Sequence, residues 1–110
     1  MPPFKLWLDD TRKPPEPGWH WVRTAEEVVV WLRDDVVFVA SLDHDLDLPN
    51  LGGEPRTGYD VALWLERHPE HYPPGGVVVH SMNPAGAERM RVALERARKL
   101  WENPGRNNGA

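Results

Sequence analysis

The sequence contains no cysteine, and this absence excludes three kinds of site. A disulfide framework, a thiolate metal site and a cysteine nucleophile all require the missing side chain. No apolar run is long enough to cross a membrane, and residues 1–5 lack the apolar core of a signal peptide. The composition is compatible with a reducing compartment, and we expect a cytoplasmic protein that makes no membrane contact.

A surplus of positive charge is also missing. The 110 residues include 13 Lys and Arg against 17 Asp and Glu, which gives a formal net charge of −4 at pH 7. Proteins that bind duplex nucleic acid broadly present a basic face, so this function is not expected. A small phosphorylated ligand, held by a few local groups, is compatible with this charge balance.

The length fits a single domain, which we expect to span residues 1–101, with residues 102–110 as a flexible C-terminal tail. Short apolar segments ending at or near polar residues predict strands, and three capping residues, Thr24, Thr57 and Asn83, predict helix starts. The predicted strands cover residues 4–8, 19–23, 36–42 and 77–79. This order of elements favours an α/β fold with a mainly parallel sheet in the strand order 2-1-3-4.

Acidic residues follow the first and third predicted strands. Parallel strands lie about 4.8 Å apart, so carboxylates at neighbouring strand ends come close together and their repulsion must be relieved. A hard cation such as Mg²⁺ or Mn²⁺ prefers ligands of this kind, and it binds substrate phosphate as well. The alternative is that some of these acids accept hydrogen bonds from loop amides or pair with Arg12. The candidate metal ligands are Asp9, Asp10, Asp43 and Asp45.

Two histidines lie at the same predicted edge. His44 and His80 could act as acid and base on a phosphodiester, with Asp43 beside them, although a single histidine at such a place is more often structural. The candidate phosphate-binding residues are Arg12, Thr57, Ser81 and Asn83, because helix N-termini and guanidinium groups bind anions. For Thr57 and Asn83, the alternative is simple helix capping. The six tryptophans are interpreted as core or loop packing.

Four segments in this order resemble the cyclic-phosphate processing receiver-like domain: residues 6–12, 41–46, 57–60 and 79–86. The resemblance runs from about residue 4 to residue 100. It implies a receiver-like (flavodoxin-like) three-layer sandwich with a reduced sheet of four strands. It also implies that Asp9 and Asp10 are the acidic pair of the family, that Asp43 or Asp45 is the acid after the third strand, and that Ser81 is the hydroxyl residue after the fourth.

The sequence departs from signalling receivers in two respects. No fifth strand carrying a lysine is recognisable, and a loop with three prolines replaces the first crossover helix. Phosphorylation of an aspartate as a signal is therefore not the leading hypothesis. The extra histidines suit the action on cyclic phosphates that the resemblance implies.

The leading hypothesis is a metal-assisted phosphoesterase, a hydrolase of the cyclic phosphodiesterase type, that acts on cyclic phosphate esters of nucleotides or RNA ends. Its cofactor would be Mg²⁺ or Mn²⁺, and its partner a small phosphorylated ligand such as a cyclic nucleotide or an RNA end. Two alternatives remain open. One is a sensor that binds a cyclic nucleotide or phosphate without catalysis, and the other is a degenerate phosphoacceptor receiver domain.

Overall fold

The computed structural model describes residues 2–44 and 57–103. The elements follow in the order β1 (Phe4–Leu8), β2 (Trp19–Val22), α1 (Ala25–Arg33), β3 (Val37–Leu42), α2 (Gly58–Arg67), β4 (Val77–Val79) and α3 (Pro84–Glu102). All three strand pairs are parallel, and the order across the sheet is β2-β1-β3-β4. The predicted α/β, receiver-like fold with its reduced sheet is thereby confirmed.

Side-chain caps fix the start of each helix. The Thr24 hydroxyl accepts the Glu27 amide at the start of α1, and the Asn83 side chain accepts the Gly86 amide at the start of α3. At the start of α2, Thr57 and Asp60 form a reciprocal capping box. These caps satisfy amides that have no partner within the helix, which is why the three starts are legible in the sequence.

One face of the sheet carries the hydrophobic core. Leu6, Leu8 and Leu42 are fully buried and belong to one cluster with the apolar residues of all three helices. The cluster takes Val28 and Leu32 from α1, Val61 and Leu65 from α2, and Met90 and Leu94 from α3. The three helices therefore pack against the same face of the sheet.

The described residues form two layers, where the resemblance implied three. Right-handed crossovers place the β2–β3 and β3–β4 connections on one face of the sheet and the β1–β2 connection on the other. The β1–β2 connection is the loop of residues 9–18, which holds three prolines and no helix. The face of the sheet opposite the helices, which we call the helix-free face, carries Trp7, Trp21, Ser41 and Val78 in one row across the strands.

The C-terminal helix extends through Glu102, so the first residue of the predicted tail is helical. Residues 104–110 lie outside the described part of the chain, and the flexible tail stays a prediction for them. Among the described residues the sheet ends at β4, with no fifth strand. In that same part of the chain, no helix has both the length and the apolar character needed to cross a membrane.

Candidate functional site

Three carboxylates meet at the carboxyl edge of the sheet. Asp9 and Asp10 follow β1, and Asp43 follows the neighbouring strand β3, whose Leu42 pairs with Leu8. The Asp43 amide extends this ladder by donating to the Leu8 carbonyl at 3.0 Å. One carboxylate oxygen from each acid lies within 4.8 Å of those of the other two. The structure thus brings three of the four predicted metal ligands together; the fourth, Asp45, lies outside the described residues.

Both carboxylate oxygens of Asp9 have hydrogen-bond partners. Its Oδ1 accepts the amides of Thr11 at 3.0 Å and Arg12 at 2.8 Å, and its Oδ2 lies 3.1 Å from His80 Nε2. Burial by itself would raise the pKa of Asp9, but the Arg12 and Thr11 amides and the His80 ring together hold that pKa below its ordinary value. Asp9 is therefore anionic at neutral pH although it is only 3% exposed.

His80 reaches Asp9 from the end of β4. Its backbone amide continues the β3–β4 pairing by donating to the Leu42 carbonyl at 3.0 Å. Its ring lies flat on Trp7, with ring centroids 3.8 Å apart and planes inclined by 7°. His80 Nδ1 lies 2.7 Å from the hydroxyl of Ser41, so both ring nitrogens have a protein partner.

The protonation of His80 follows from these partners. Burial lowers the pKa of the His80 imidazole and outweighs the opposing effect of Asp9, so the ring is neutral at pH 7. With Asp9 anionic, Nε2–H donates to the Asp9 carboxylate and Nδ1 accepts the Ser41 hydroxyl proton. The result is a hydrogen-bonded chain, Ser41–His80–Asp9, that links three neighbouring strands of the sheet.

His44 takes a different position from His80. The His44 carbonyl accepts the amide of Gly58 at the start of α2, at 3.2 Å. Its ring packs on the first turn of α3, because a Cβ on Gly86 would lie 2.7 Å from His44 Cγ. The two predicted catalytic histidines therefore contact different parts of the edge: His80 contacts Asp9, and His44 contacts the helix start at Gly86.

The four predicted phosphate-binding residues all have structural contacts. The side chains of Thr57 and Asn83 cap α2 and α3, and the Ser81 hydroxyl accepts the Asn83 amide at 3.1 Å. The Arg12 amide donates to Asp9, and the Arg12 carbonyl accepts the indole N–H of Trp7 at 2.8 Å. Arg12 is an exposed residue. Thr57 and Asn83 therefore act as helix caps, which was the alternative to phosphate binding considered from the sequence.

Ser41 and the tryptophans of β1 and β2 also belong to this edge, although they were not predicted to lie there. A signal for Ser41 exists, because it is the one hydroxyl in an otherwise apolar strand and lies two residues before Asp43, on the same side by strand alternation. Trp21 donates its indole N–H to the Asp9 carbonyl at 2.7 Å. This bond connects residues 12 apart in the sequence and depends on the β1–β2 register, which sequence pattern does not define.

One of the three comparisons with known proteins gave a match. The sequence model of the cyclic-phosphate processing receiver domain family matches residues 4–96. The matched segment includes the three acids, both histidines and all three helix caps. Searches of curated proteins and of solved structures gave no match to the chain.

Proposed function

Because the chain belongs to the cyclic-phosphate processing receiver domain family, we propose that it is a metal-assisted phosphoesterase that opens cyclic phosphate esters of nucleotides or RNA ends. The observation that carries this proposal is the group of Asp9, Asp10 and Asp43, whose oxygens lie within 4.8 Å of one another. Phosphoryl chemistry with a divalent cation commonly uses one or two such carboxylates together with the substrate phosphate.

The donor set fits a hard cation. All three ligands are carboxylate oxygens, the type that Mg²⁺ and Mn²⁺ prefer over nitrogen or sulfur. Ligand atoms at about 2.1 Å from an octahedral ion are about 3 to 4 Å apart, so the observed spacing needs only a small contraction. A bound cation would supply charge neutralisation for the phosphate and a more acidic water. Asp9, Asp10 and Asp43 would hold it.

The start of two helices supports a phosphate at the same place. Gly58 and Gly86, in the first turns of α2 and α3, approach Asp43 and His44 so closely that a Cβ on either would overlap them. The positive dipole ends of these helices therefore lie beside the end of β3. An anion beside Asp43 would gain from both helix ends, provided that the carboxylate charge is neutralised.

The reaction in this proposal is ester hydrolysis. A water oxygen forms a bond to phosphorus, one ester P–O bond of the ring breaks, and the leaving oxygen takes up a proton, leaving a phosphomonoester. The attacking water loses one proton as it bonds to phosphorus. We assign to a histidine at the edge the uptake of this proton, which makes the ring an imidazolium, and its transfer to the leaving oxygen. His80 Nε2 already faces the carboxylates, held there by Ser41 and Trp7, and His44 lies at the start of α3.

A sensor without catalysis is the second candidate, and one observation favours it. Both ring nitrogens of His80 are occupied, so proton donation to a ligand from Nε2 requires the bond to Asp9 to break. A site that only binds its ligand has no such requirement. In this case saturable binding of a cyclic phosphate occurs without any product.

The experiment that separates the two is ³¹P NMR of cyclic phosphates incubated with the protein. The panel holds 2′,3′-cyclic and 3′,5′-cyclic nucleotides and RNA with a cyclic phosphate end, each with Mg²⁺, Mn²⁺ or EDTA. We expect a phosphomonoester signal that requires the cation and is lost in Asp43→Asn and His80→Ala. The matched control is Asp35→Asn, which changes an exposed acid after α1. Asp35 has a left-handed backbone conformation, which asparagine also adopts readily.

Full turnover in Asp43→Asn would remove the assignment of the acids. Binding of a cyclic phosphate with no product under any condition would replace the phosphoesterase with the sensor.

A further inference from the structure

The helix-free face of the sheet carries three tryptophans. Trp7 on β1 and Trp19 and Trp21 on β2 all point to this face, since Trp7 pairs with Trp21 and Lys5 with Trp19 in the parallel register. Trp7 is 7% exposed beneath the ring of His80, whereas Trp21 is 36% exposed. Trp21 therefore has an accessible ring, and its indole N–H also contacts Asp9 at the acid edge.

Trp21 and Arg23 are attached to the two residues that carry the acidic pair. The indole N–H of Trp21 donates to the Asp9 carbonyl at 2.7 Å, and Arg23 Nη1 lies 3.5 Å from the Asp10 carbonyl. The guanidinium carbon of Arg23 lies 4.3 Å from the centre of the Trp21 ring, in cation–π contact. We call Trp21 and Arg23 together the aromatic shelf. Both side chains thus contact the backbone carbonyls of the acidic pair.

Charge distinguishes the shelf from the other end of β2. At Trp19 the cation Lys5 lies 4.8 Å from the ring centre, but the indole N–H lies 3.5 Å from the carboxylate of Glu16. At Trp21 the ring is in contact with the cation Arg23. A ligand that carries a negative phosphate at the acid edge would therefore meet a favourable charge on the shelf and a less favourable one at Trp19.

We propose that the aromatic shelf binds the base of a nucleotide whose cyclic phosphate lies at Asp9, Asp10 and Asp43. Bases stack on indole rings and on guanidinium planes alike, and a single sugar separates the base from the phosphate of one nucleotide. This inference rests on the proposed function and adds the place at which the base of such a nucleotide binds.

The test compares a cyclic nucleotide with its base-free counterpart. The probes are adenosine 2′,3′-cyclic phosphate and methyl ribofuranoside 2,3-cyclic phosphate, which share sugar and phosphate. Kd is measured for both in the presence of Mg²⁺, in the first minutes after mixing, with ³¹P NMR verifying that the ring is intact. The ratio of the base-free Kd to the nucleotide Kd is the base increment. We expect about 5- to 100-fold for the unaltered protein.

Three variants test whether the Trp21 ring provides this increment in affinity. Trp21→Leu removes the stacking ring and is expected to reduce the increment to near 1, with the base-free Kd unchanged. Trp21→Phe retains an aromatic ring without the N–H bond to Asp9, and is expected to keep most of the increment. The matched control is Trp19→Leu, on the same strand and face, which is expected to keep all of it.

A direct readout accompanies the affinities. The indole ¹H–¹⁵N signal of Trp21, identified by its loss in Trp21→Phe, is expected to shift with the nucleotide and to stay in place with the base-free probe. An increment near 1 in the unaltered protein, or an increment that survives Trp21→Leu, overturns the shelf while binding of the base-free probe still supports the proposed function. If neither probe binds, both proposals are wrong.

Discussion

The Ser41 hydroxyl supports one orientation of the His80 ring, because it can donate to Nδ1 while Asp9 accepts from Nε2. This buried hydroxyl lies 2.7 Å from Nδ1, and the anionic Asp9 accepts from Nε2. The stacked Trp7 ring holds the plane of the imidazole, with ring centroids 3.8 Å apart. In this account Ser41 is a positioning residue: it acts on the acid edge through His80.

Replacing Ser41 by alanine tests this role. The variant leaves a buried imidazole nitrogen without its partner, so we expect the free energy of unfolding to fall by about 1–3 kcal/mol. The ¹⁵N chemical shifts of the His80 ring should also lose the signature of the single Nε2–H tautomer.

The matched control is Ser81→Ala, which removes a hydroxyl from a more accessible position near the same edge. It should cost about 0.5–1 kcal/mol and leave the His80 signals in place. An unchanged tautomer signature in Ser41→Ala would show that Asp9 alone orients the ring.

Acid should lower the free energy of unfolding through both His80 and Asp9. Burial keeps the pKa of His80 below its ordinary value, so as pH falls below about 6.5 the unfolded state takes up a proton that the folded state does not. The lowered pKa of Asp9 has the same consequence below about pH 4. Stability present at pH 7 is therefore lost in two steps on acidification.

Urea unfolding between pH 8 and pH 5, with EDTA present so that no cation occupies the acids, measures the first step. We expect a smaller loss of stability over this range in His80→Gln, which cannot titrate, than in the unaltered chain. His68→Gln, which removes a histidine at the end of α2, is the control for the loss of an imidazole outside the acid edge. Equal profiles for the unaltered chain and His80→Gln would contradict the lowered pKa.

The starts of α2 and α3 are the elements that determine the shape of the edge. Each brings a glycine against the end of β3: a Cβ at Gly58 would lie 2.0 Å from the Asp43 carbonyl oxygen, and one at Gly86 would lie 2.7 Å from the His44 ring. Both glycines are buried members of their helices. Here glycine is needed for close approach, and the helix start reaches the site because no side chain intervenes.

Gly86→Ala should reverse the usual effect of this substitution in a helix. Alanine normally stabilises a helix by about 1 kcal/mol relative to glycine, but here its Cβ meets the His44 ring. We expect a net loss of about 1–3 kcal/mol, measured by urea unfolding.

The double variant with His44→Ala removes the obstacle, so in that background Gly86→Ala should be neutral or stabilising. The resulting cycle should give a coupling energy of about 1–3 kcal/mol. Additive effects would show that the ring and the helix start do not press on each other.

The elements were predictable because each has a local cause. Thr24, Thr57 and Asn83 cap helices through bonds to amides three residues away, and the apolar run before Asp43 forms the central strand β3. The contacts at the acid edge were less predictable. The His80–Asp9 bond spans 71 residues and the Ser41–His80 bond spans 39, so each requires the strand order and the register together.

At the scale of the whole molecule, the main departure from the expected three layers is that the helices of residues 2–44 and 57–103 pack on one face of the sheet. The sequence indicates that the prolines of residues 13–18 replace a crossover helix, but the consequence depends on the handedness of three crossovers considered together. Once that helix is missing, the tryptophans of β1 and β2 line an open sheet face rather than a second core. Their prediction as core or loop packing fits Trp7, which is buried, better than Trp21.

Net charge belongs to this scale too. With a formal charge of −4, the protein should not retard a duplex of about 20 base pairs at tens of micromolar protein and about 150 mM salt. Lowering the salt should reveal no steep gain in affinity, since few phosphate contacts would form. Gel retardation across a salt series measures this, and tight binding that weakens steeply with salt would contradict the expected small, local ligand.

The central claim is that Asp9, Asp10 and Asp43 together hold a divalent cation, and a Mn²⁺ titration followed by electron paramagnetic resonance tests it most directly. We expect loss of the free Mn²⁺ signal at about one ion per chain, and binding at least about 10-fold weaker in Asp43→Asn, with Asp35→Asn unchanged. Equal Mn²⁺ binding by the unaltered chain and Asp43→Asn, or no binding by the unaltered chain at millimolar Mn²⁺, would contradict the account.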